Sequence, residues 1–112
     1  PSMAHRHASS GEIVELKALG DALEQHVTHA LIKSAQLELV RLVLPAGKAL
    51  REHRVAGEIT VLCVEGVIDI RVNGSDRRLA AGQLIHLGAG EPHAVRAVTN
   101  ASALLTICLV AP

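Results

Sequence analysis

The most unusual property of this sequence is that none of its 112 residues is Phe, Trp or Tyr. Proteins that bind single-stranded nucleic acid without sequence preference stack the bases on aromatic rings, so that class of function is excluded. Cages for quaternary ammonium groups and stacking platforms for sugars need the same rings. The core must therefore consist of aliphatic side chains, and any ligand must be recognised without aromatic stacking.

The sequence also lacks an excess of charge, long apolar runs and a set of paired cysteines. Eleven basic and eleven acidic residues give a net charge of zero. No basic stripe is visible, which argues against nucleic acid and an anionic membrane surface as partners. No run approaches the ~18 apolar residues of a membrane span. We therefore expect a cytoplasmic protein in which Cys63 and Cys108 are buried, reduced thiols.

Short apolar segments separated by turn residues predict an all-β fold. Leu37–Leu44, Ile59–Glu65 and Val67–Val72 are rich in branched aliphatic residues, as strands are. Asn73-Gly74 predicts a type I′ hairpin turn directly after the third of these segments. Ile13–Leu16 predicts a short edge strand near the start of the chain.

Two histidines each lie inside a pattern of spaced glycines. One histidine follows a glycine after five intervening residues and precedes another glycine, and the second histidine ends a glycine-rich loop. The residues that form these two patterns are Gly47, His53, Gly66, Gly82, Gly90 and His93. The arrangement resembles the two motifs of the cupin superfamily, in the small single-domain form with one conserved barrel.

The resemblance implies the architecture and the oligomeric state. Cupins fold as a double-stranded β-helix, or jelly-roll, barrel, which we expect over residues 13–112. Residues 1–12 would form a disordered or extended segment before it. Because the sheet edges of a small barrel need covering and small cupins commonly pair, we expect a homodimer. Ile13–Leu16 would join the partner's sheet or seal the interface.

The departures from the family pattern fall on residues that hold a metal in cupins. In the family, two histidines and a glutamate of the first motif bind the ion together with the histidine of the second. The second histidine position is Val55 here and the glutamate position is Ile59, so His53 and His93 remain. Two protein ligands are fewer than the three of a catalytic zinc site. The predicted pocket is lined by His53, Val55, Ile59 and His93.

Glu58 and His86 are candidates for additional metal ligands. Alternate side chains of a strand share a face, so a regular strand over residues 53–59 would point Glu58 away from the pocket. A bulge at Ala56-Gly57 would turn Glu58 inward. His86 lies on the strand that precedes the second motif, and the apolar residues around it do not determine its face.

Two functions are compatible with these residues. The first is a metal-dependent enzyme that acts on a small molecule, with zinc, iron, nickel or manganese bound by His53 and His93. The second is a metal-free cupin that binds or senses a small ligand in an apolar pocket. Whether the protein is an enzyme is left open, because a fold alone does not determine a function.

Overall fold

The computed structural model describes residues 6–110, and these form nine antiparallel strands and one short 3-10 helix. The helix, Gly20–Gln25, precedes the first strand. The strands are β1 (His29–Lys33), β2 (Leu37–Leu44), β3 (Ala49–His53), β4 (Ile59–Glu65), β5 (Val67–Val72), β6 (Ser75–Ala80), β7 (Leu84–Leu87), β8 (His93–Ala97) and β9 (Ala101–Cys108). One sheet has the order β1-β2-β9-β4-β7 and the other β3-β8-β5-β6. The predicted all-β jelly-roll barrel is confirmed. No helix within the described range is long and apolar enough to cross a membrane.

Three strands begin and end at the residues that the sequence pattern predicts. β2, β4 and β5 coincide with the three segments rich in branched aliphatic residues. The hairpin turn between β5 and β6 is also confirmed, because Asn73 and Gly74 have φ angles of 52° and 77°. A type I′ turn requires a positive φ at both central residues.

The core lies between the two sheets and consists of aliphatic side chains and one thiol. Alternate residues of β4 point inward, namely Ile59, Val61 and Cys63, and Ile68 and Ile70 of β5 meet them from the facing sheet. Burial raises the pKa of the Cys63 thiol. The thiol donates to the backbone carbonyls of Glu65 and Gly66, where β4 ends. The core is therefore made without aromatic residues, as the composition requires.

Two local predictions are wrong. Residues 13–16 form no strand in this chain, and Ile13 is 89% exposed. A four-residue run becomes a strand only where a neighbouring strand shares its backbone hydrogen bonds, and the strand that pairs with β1 among residues 6–110 is β2. Cys108 is exposed, because it lies at the end of β9 on the outer face of the sheet. Both cysteines are free thiols.

The predicted N-terminal segment, residues 1–12, begins outside the described residues, as do positions 111–112 of the predicted barrel domain. Within the described part, the backbone N–H of Ala8 donates to the carbonyl of Leu31 on β1. The side chain of Arg6 forms an ion pair with Glu12. The boundary between residues 12 and 13 stays a prediction.

Residues 53–59 do not form a single regular strand. The expectation that Glu58 points away from the pocket assumed such a strand. β3 ends at His53 in the four-stranded sheet, and β4 begins at Ile59 in the five-stranded sheet. Gly57 lies in the crossing between them, where an added Cβ would be 1.8 Å from the carbonyl oxygen of Cys108. Only glycine fits at this point, and the alternation of faces does not continue from one strand to the other.

Candidate functional site

Strand pairing brings the two motif histidines together. His53 at the end of β3 lies directly opposite His93 at the start of β8. Their ring centroids are 4.4 Å apart, and the ring planes are inclined by 57°. Two residues that are far apart in the sequence therefore present their imidazoles at one point of the barrel.

Each imidazole is oriented by a hydrogen bond of the same kind. Nδ1 of His53 lies 3.1 Å from the carbonyl oxygen of Arg51, and Nδ1 of His93 lies 3.1 Å from that of Glu91. A carbonyl oxygen can only accept, so this network assigns the hydrogen of each neutral ring to Nδ1. No hydrogen bond within residues 6–110 involves Nε2 of either ring. Both Nε2 lone pairs are thus available to a ligand.

The two histidines line a cavity of about 610 Å³ whose wall is otherwise mostly aliphatic. His93 is buried, with 3% of its surface exposed, whereas His53 is exposed at the cavity's edge. The other lining residues are Leu42, Leu50, Arg51, Glu52, Val61, Val95 and Leu105. Among the described lining residues, the charged side chains are Arg51 and Glu52 of β3, and both are exposed. The cavity thus offers a ligand apolar contacts, the imidazole of His93 in its interior and the imidazole of His53 at its edge.

Val55 and Ile59 stand where the motif that the sequence resembles has metal ligands, and they are not among the described residues that line the cavity. Ile59 is 3% exposed and belongs to the core between the sheets. Val55 packs against the same core from the connection between β3 and β4. The aliphatic side chains at these positions extend the core beside the cavity.

Glu58 and His86 contact each other on the outside of the barrel. His86 Nε2 donates to Glu58 Oε1 across 2.7 Å, and both side chains are more than half exposed. They line a separate depression of about 230 Å³ that also includes Thr60 and Cys108. The bulge that would turn Glu58 inward is not formed, and the chain brings these two residues to one another rather than to His53 and His93.

The residues present do not fit a tightly held resident metal ion. No cluster of three or more His, Cys, Asp or Glu side chains in the described chain could hold such an ion. The available donor set is therefore the two Nε2 atoms of His53 and His93, which falls below the three protein ligands of a catalytic zinc site.

The comparison with known families identifies the fold family. A profile of the cupin domain family matches residues 40–110. The chain belongs to the cupin family. Among curated protein sequences, none is significantly similar to it.

Solved structures with the same architecture are numerous. A conserved protein of unknown function from Streptococcus pyogenes has a TM-score of 0.75 and 24% identity, over 97% of this chain and 99% of that one. An RmlC-like cupin from Desulfovibrio desulfuricans has a TM-score of 0.70 and 25% identity, over 91% and 97%. An RmlC-like cupin with a double-stranded β-helix fold, from Methanocaldococcus jannaschii, has a TM-score of 0.74 and 12% identity, over 90% and 93%. These similarities support the cupin fold and assign no function.

The aliphatic wall of the cavity was not predicted from the sequence, although the alternation of side chains along the predicted strands indicates some of its residues. Leu42 and Val61 lie on predicted strands, two positions from buried residues of the same strand, so the period of two would have placed them inside. Leu50, Arg51 and Glu52 lie on β3, which the apolar pattern did not reveal. That strand has a single partly buried residue, Leu50, and an irregular register with β8 between Leu50 and His53.

A second polar cluster is buried on the outer face of the five-stranded sheet, under the segment that leads into the 3-10 helix. Arg41 Nη2 donates to the carbonyl of Lys17 at 2.6 Å, to Ser102 Oγ at 3.0 Å and to Glu65 Oε2 at 3.2 Å. Ser102 Oγ donates a short hydrogen bond to Glu65. This cluster ties the N-terminal segment to the barrel.

Glu65 is the centre of that cluster. Its carboxylate also accepts hydrogen bonds of 2.9–3.0 Å from the backbone N–H groups of Leu19 and Gly20. Burial acts to raise the pKa of Glu65, but these hydrogen bonds, that of Ser102 and the charge of Arg41 together hold it below its ordinary value. The carboxylate is thus ionised and fully occupied by partners from its own chain.

Proposed function

We propose that this cupin binds a small, largely apolar molecule in the cavity at His53 and His93, without a metal. The observation that carries the proposal is the pair of oriented imidazoles with free Nε2 atoms in an otherwise aliphatic wall. Small-molecule sites are typically apolar concavities in which a few polar groups fix the ligand's orientation. A volume of about 610 Å³ lies within the usual range for such sites.

We place the function among binding and sensory proteins rather than enzymes. Of the described residues on the wall, Glu52 is the acidic one, and it is exposed on β3. No hydrogen bond or ion pair within residues 6–110 holds its carboxylate in a fixed position. A general base has to be positioned against the group from which it takes a proton. The cytoplasmic location expected from the sequence is part of the same proposal.

A divalent transition metal, such as zinc, iron, nickel or manganese, is the second candidate ligand. The specific observation in its favour is that each Nδ1–H is bound to a backbone carbonyl, while Nε2 has no hydrogen-bond partner among residues 6–110. Metal-binding histidines commonly have this arrangement. Because two imidazoles are a small donor set, such an ion would depend on water or a bound ligand for its other positions.

The test of the proposed function is a fragment screen by nuclear magnetic resonance on uniformly nitrogen-15-labelled protein. Small apolar molecules should shift the backbone signals of Leu50, Val61, Val95 and Leu105, together with the side-chain signals of His93. His93→Ala should abolish these shifts, whereas His26→Ala, which changes an exposed histidine, should leave them intact. Shifts confined to other surfaces, or no shifts with any fragment, would contradict the proposal.

The metal alternative is tested on protein purified without a metal-affinity column. Elemental analysis should find less than stoichiometric metal, and dialysis against EDTA should leave fragment binding unchanged. A full equivalent of one metal that is lost in both His53→Ala and His93→Ala would instead favour the second candidate.

We further propose that the protein is a homodimer that pairs through the open part of the outer face of the five-stranded sheet. Leu37 and Leu84 are 44% and 62% exposed there, and the half-buried Leu39, Leu62 and Leu104 lie between them. Exposed apolar patches of this kind are typical of protein interfaces. The Glu58–His86 pair at its edge carries both a donor and an acceptor, so a second copy related by a twofold axis would meet complementary groups.

Light scattering at micromolar concentration tests the dimer. Leu84→Glu should convert it to monomer if this face is the interface, while Ile13→Glu should do so if the N-terminal segment seals the contact. A wild-type protein that is monomeric at these concentrations would contradict both arrangements.

A further inference from the structure

The hydrogen-bonding state of the two imidazoles restricts the chemical class of the ligand. Nδ1 of each ring donates to a backbone carbonyl, and a neutral imidazole has only one N–H. Each Nε2 atom therefore acts as an acceptor. With the ring centroids 4.4 Å apart, the cavity presents two acceptors side by side.

Two adjacent acceptors favour a ligand that brings a hydrogen-bond donor. The residues of β2, β4 and β9 on the wall are Leu42, Val61 and Leu105, which provide no polar side-chain atom. Val95 of β8 is likewise apolar. A hydroxyl group placed between the rings can donate to either Nε2, whereas an ether oxygen at the same point faces two acceptors without a proton to share.

A carboxylate is disfavoured for a related reason. Transfer of an ionised group into apolar surroundings is costly unless donors compensate its lost hydration. Within the described part of the chain, the Lys or Arg side chain on the wall is that of Arg51, which lies exposed on β3. Beside His93, the aliphatic side chains of the described lining residues Leu42, Val61, Val95 and Leu105 provide no donor to an anion.

We infer that the cavity selects an uncharged molecule with an apolar body and one hydroxyl group, of the alcohol or phenol class, over the carboxylate and the ether of the same skeleton. This inference rests on the proposed function, and it adds the polar group by which the ligand is recognised. His53 and His93 are then the residues that determine specificity.

The absence of aromatic residues makes a direct fluorescence test practicable, since the protein contributes no Trp or Tyr emission. The probes are 2-naphthol, 2-methoxynaphthalene and 2-naphthoate, titrated in EDTA-containing buffer at about pH 8. We expect 2-naphthol to bind at least tenfold more tightly than either of the other two. His53→Ala and His93→Ala should each remove this preference, and His26→Ala should retain it.

The outcomes separate the two proposals. Equal affinity for the naphthol and its methyl ether, or tighter binding of the naphthoate, would overturn the hydroxyl selectivity and leave the proposed cavity function standing. If Arg51→Met removes naphthoate binding in that case, the anion is recognised at the edge of the cavity. If none of the three probes binds, both the selectivity and the cavity function are wrong.

Discussion

One polar cluster lies on the outer face of the five-stranded sheet, and the other lines the cavity inside the barrel, on β3 and β8 of the four-stranded sheet. The two clusters differ in how completely the chain satisfies their hydrogen-bonding groups. Arg41 and Leu42 are neighbours on β2, but Arg41 points to the cluster around Glu65 on the outer face and Leu42 to the cavity inside. On the outer face the Glu65 carboxylate accepts bonds from Arg41, Ser102 and two backbone N–H groups. In the cavity, each imidazole has one hydrogen-bond partner, at Nδ1, and none at Nε2 within residues 6–110.

The difference indicates which cluster serves the fold and which serves a ligand. Buried polar groups are normally hydrogen-bonded, and a cluster that its own chain satisfies holds elements together. The Glu65 cluster does this for residues 17–20, although the Nε atom of Arg41 is buried without a partner in the described chain. A polar atom that is left open toward a cavity is instead available to a ligand. Removing Glu65 should therefore mainly affect stability, and removing His93 should mainly affect binding.

The largest expected effect is that of Glu65→Ala on stability. The substitution leaves the Arg41 guanidinium buried with its main counter-charge removed, which typically costs about 3–5 kcal/mol. Urea unfolding followed by far-ultraviolet circular dichroism measures this change. Glu24→Ala, at an exposed glutamate of the 3-10 helix, is the control and should change the stability by less than about 0.5 kcal/mol. A Glu65→Ala protein as stable as the control would show that the cluster does not hold the fold.

The second-largest expected effect is that of His93→Ala, which should weaken ligand binding more than it lowers the stability of the fold. The fold loses the hydrogen bond from Nδ1 to the Glu91 carbonyl, worth about 0.5–1.5 kcal/mol, and the ring contact with His53. Binding of 2-naphthol should weaken at least tenfold, because one of the two acceptors is gone. Parallel urea and fluorescence titrations measure both quantities on one preparation. Loss of several kcal/mol with unchanged binding would assign His93 to the fold instead.

The pH dependence of stability distinguishes the clusters further. Because the folded-state pKa of Glu65 lies below its ordinary value of 4.5, its contribution is fully present above that value and is lost as the pH falls through the folded-state pKa. The stability difference between wild type and Glu65→Gln should accordingly narrow in the acid range. Thermal unfolding from about pH 6 down to pH 3 measures it. A constant difference over this range would mean that the ionised carboxylate is not what stabilises the cluster.

The sequence predicted the parts of the fold that depend on local pattern. β2, β4 and β5 follow from branched aliphatic runs, and the turn at Asn73-Gly74 follows from the φ angles that those residues tolerate. His53 and His93 were recognised from their glycine spacing, and the pairing of β3 with β8 explains why they meet. None of these predictions required knowledge of contacts between distant strands.

The parts that could not be predicted depend on where the chain changes sheets. The crossing at residues 54–58 separates Val55 and Glu58 from the face of His53, and no periodic pattern marks that break in advance. Gly57 is the one local sign, because its close approach to the Cys108 carbonyl excludes any side chain. The pairing of Arg41 with Glu65 is likewise set by the order of strands in the sheet, since β9 lies between the strands that carry them.

The smallest expected effect is that of Glu58→Gln, and it tests the crossing directly. Glu58 binds His86 in an exposed depression, and exposed ion pairs contribute about 0–1 kcal/mol. The variant should unfold at nearly the wild-type urea concentration and should bind 2-naphthol and added zinc as the wild type does. His86→Ala is the matched variant and should behave in the same way. If Glu58→Gln reduces zinc uptake while His86→Ala does not, Glu58 reaches the histidines of the cavity, and the crossing at Gly57 must be able to turn its side chain inward.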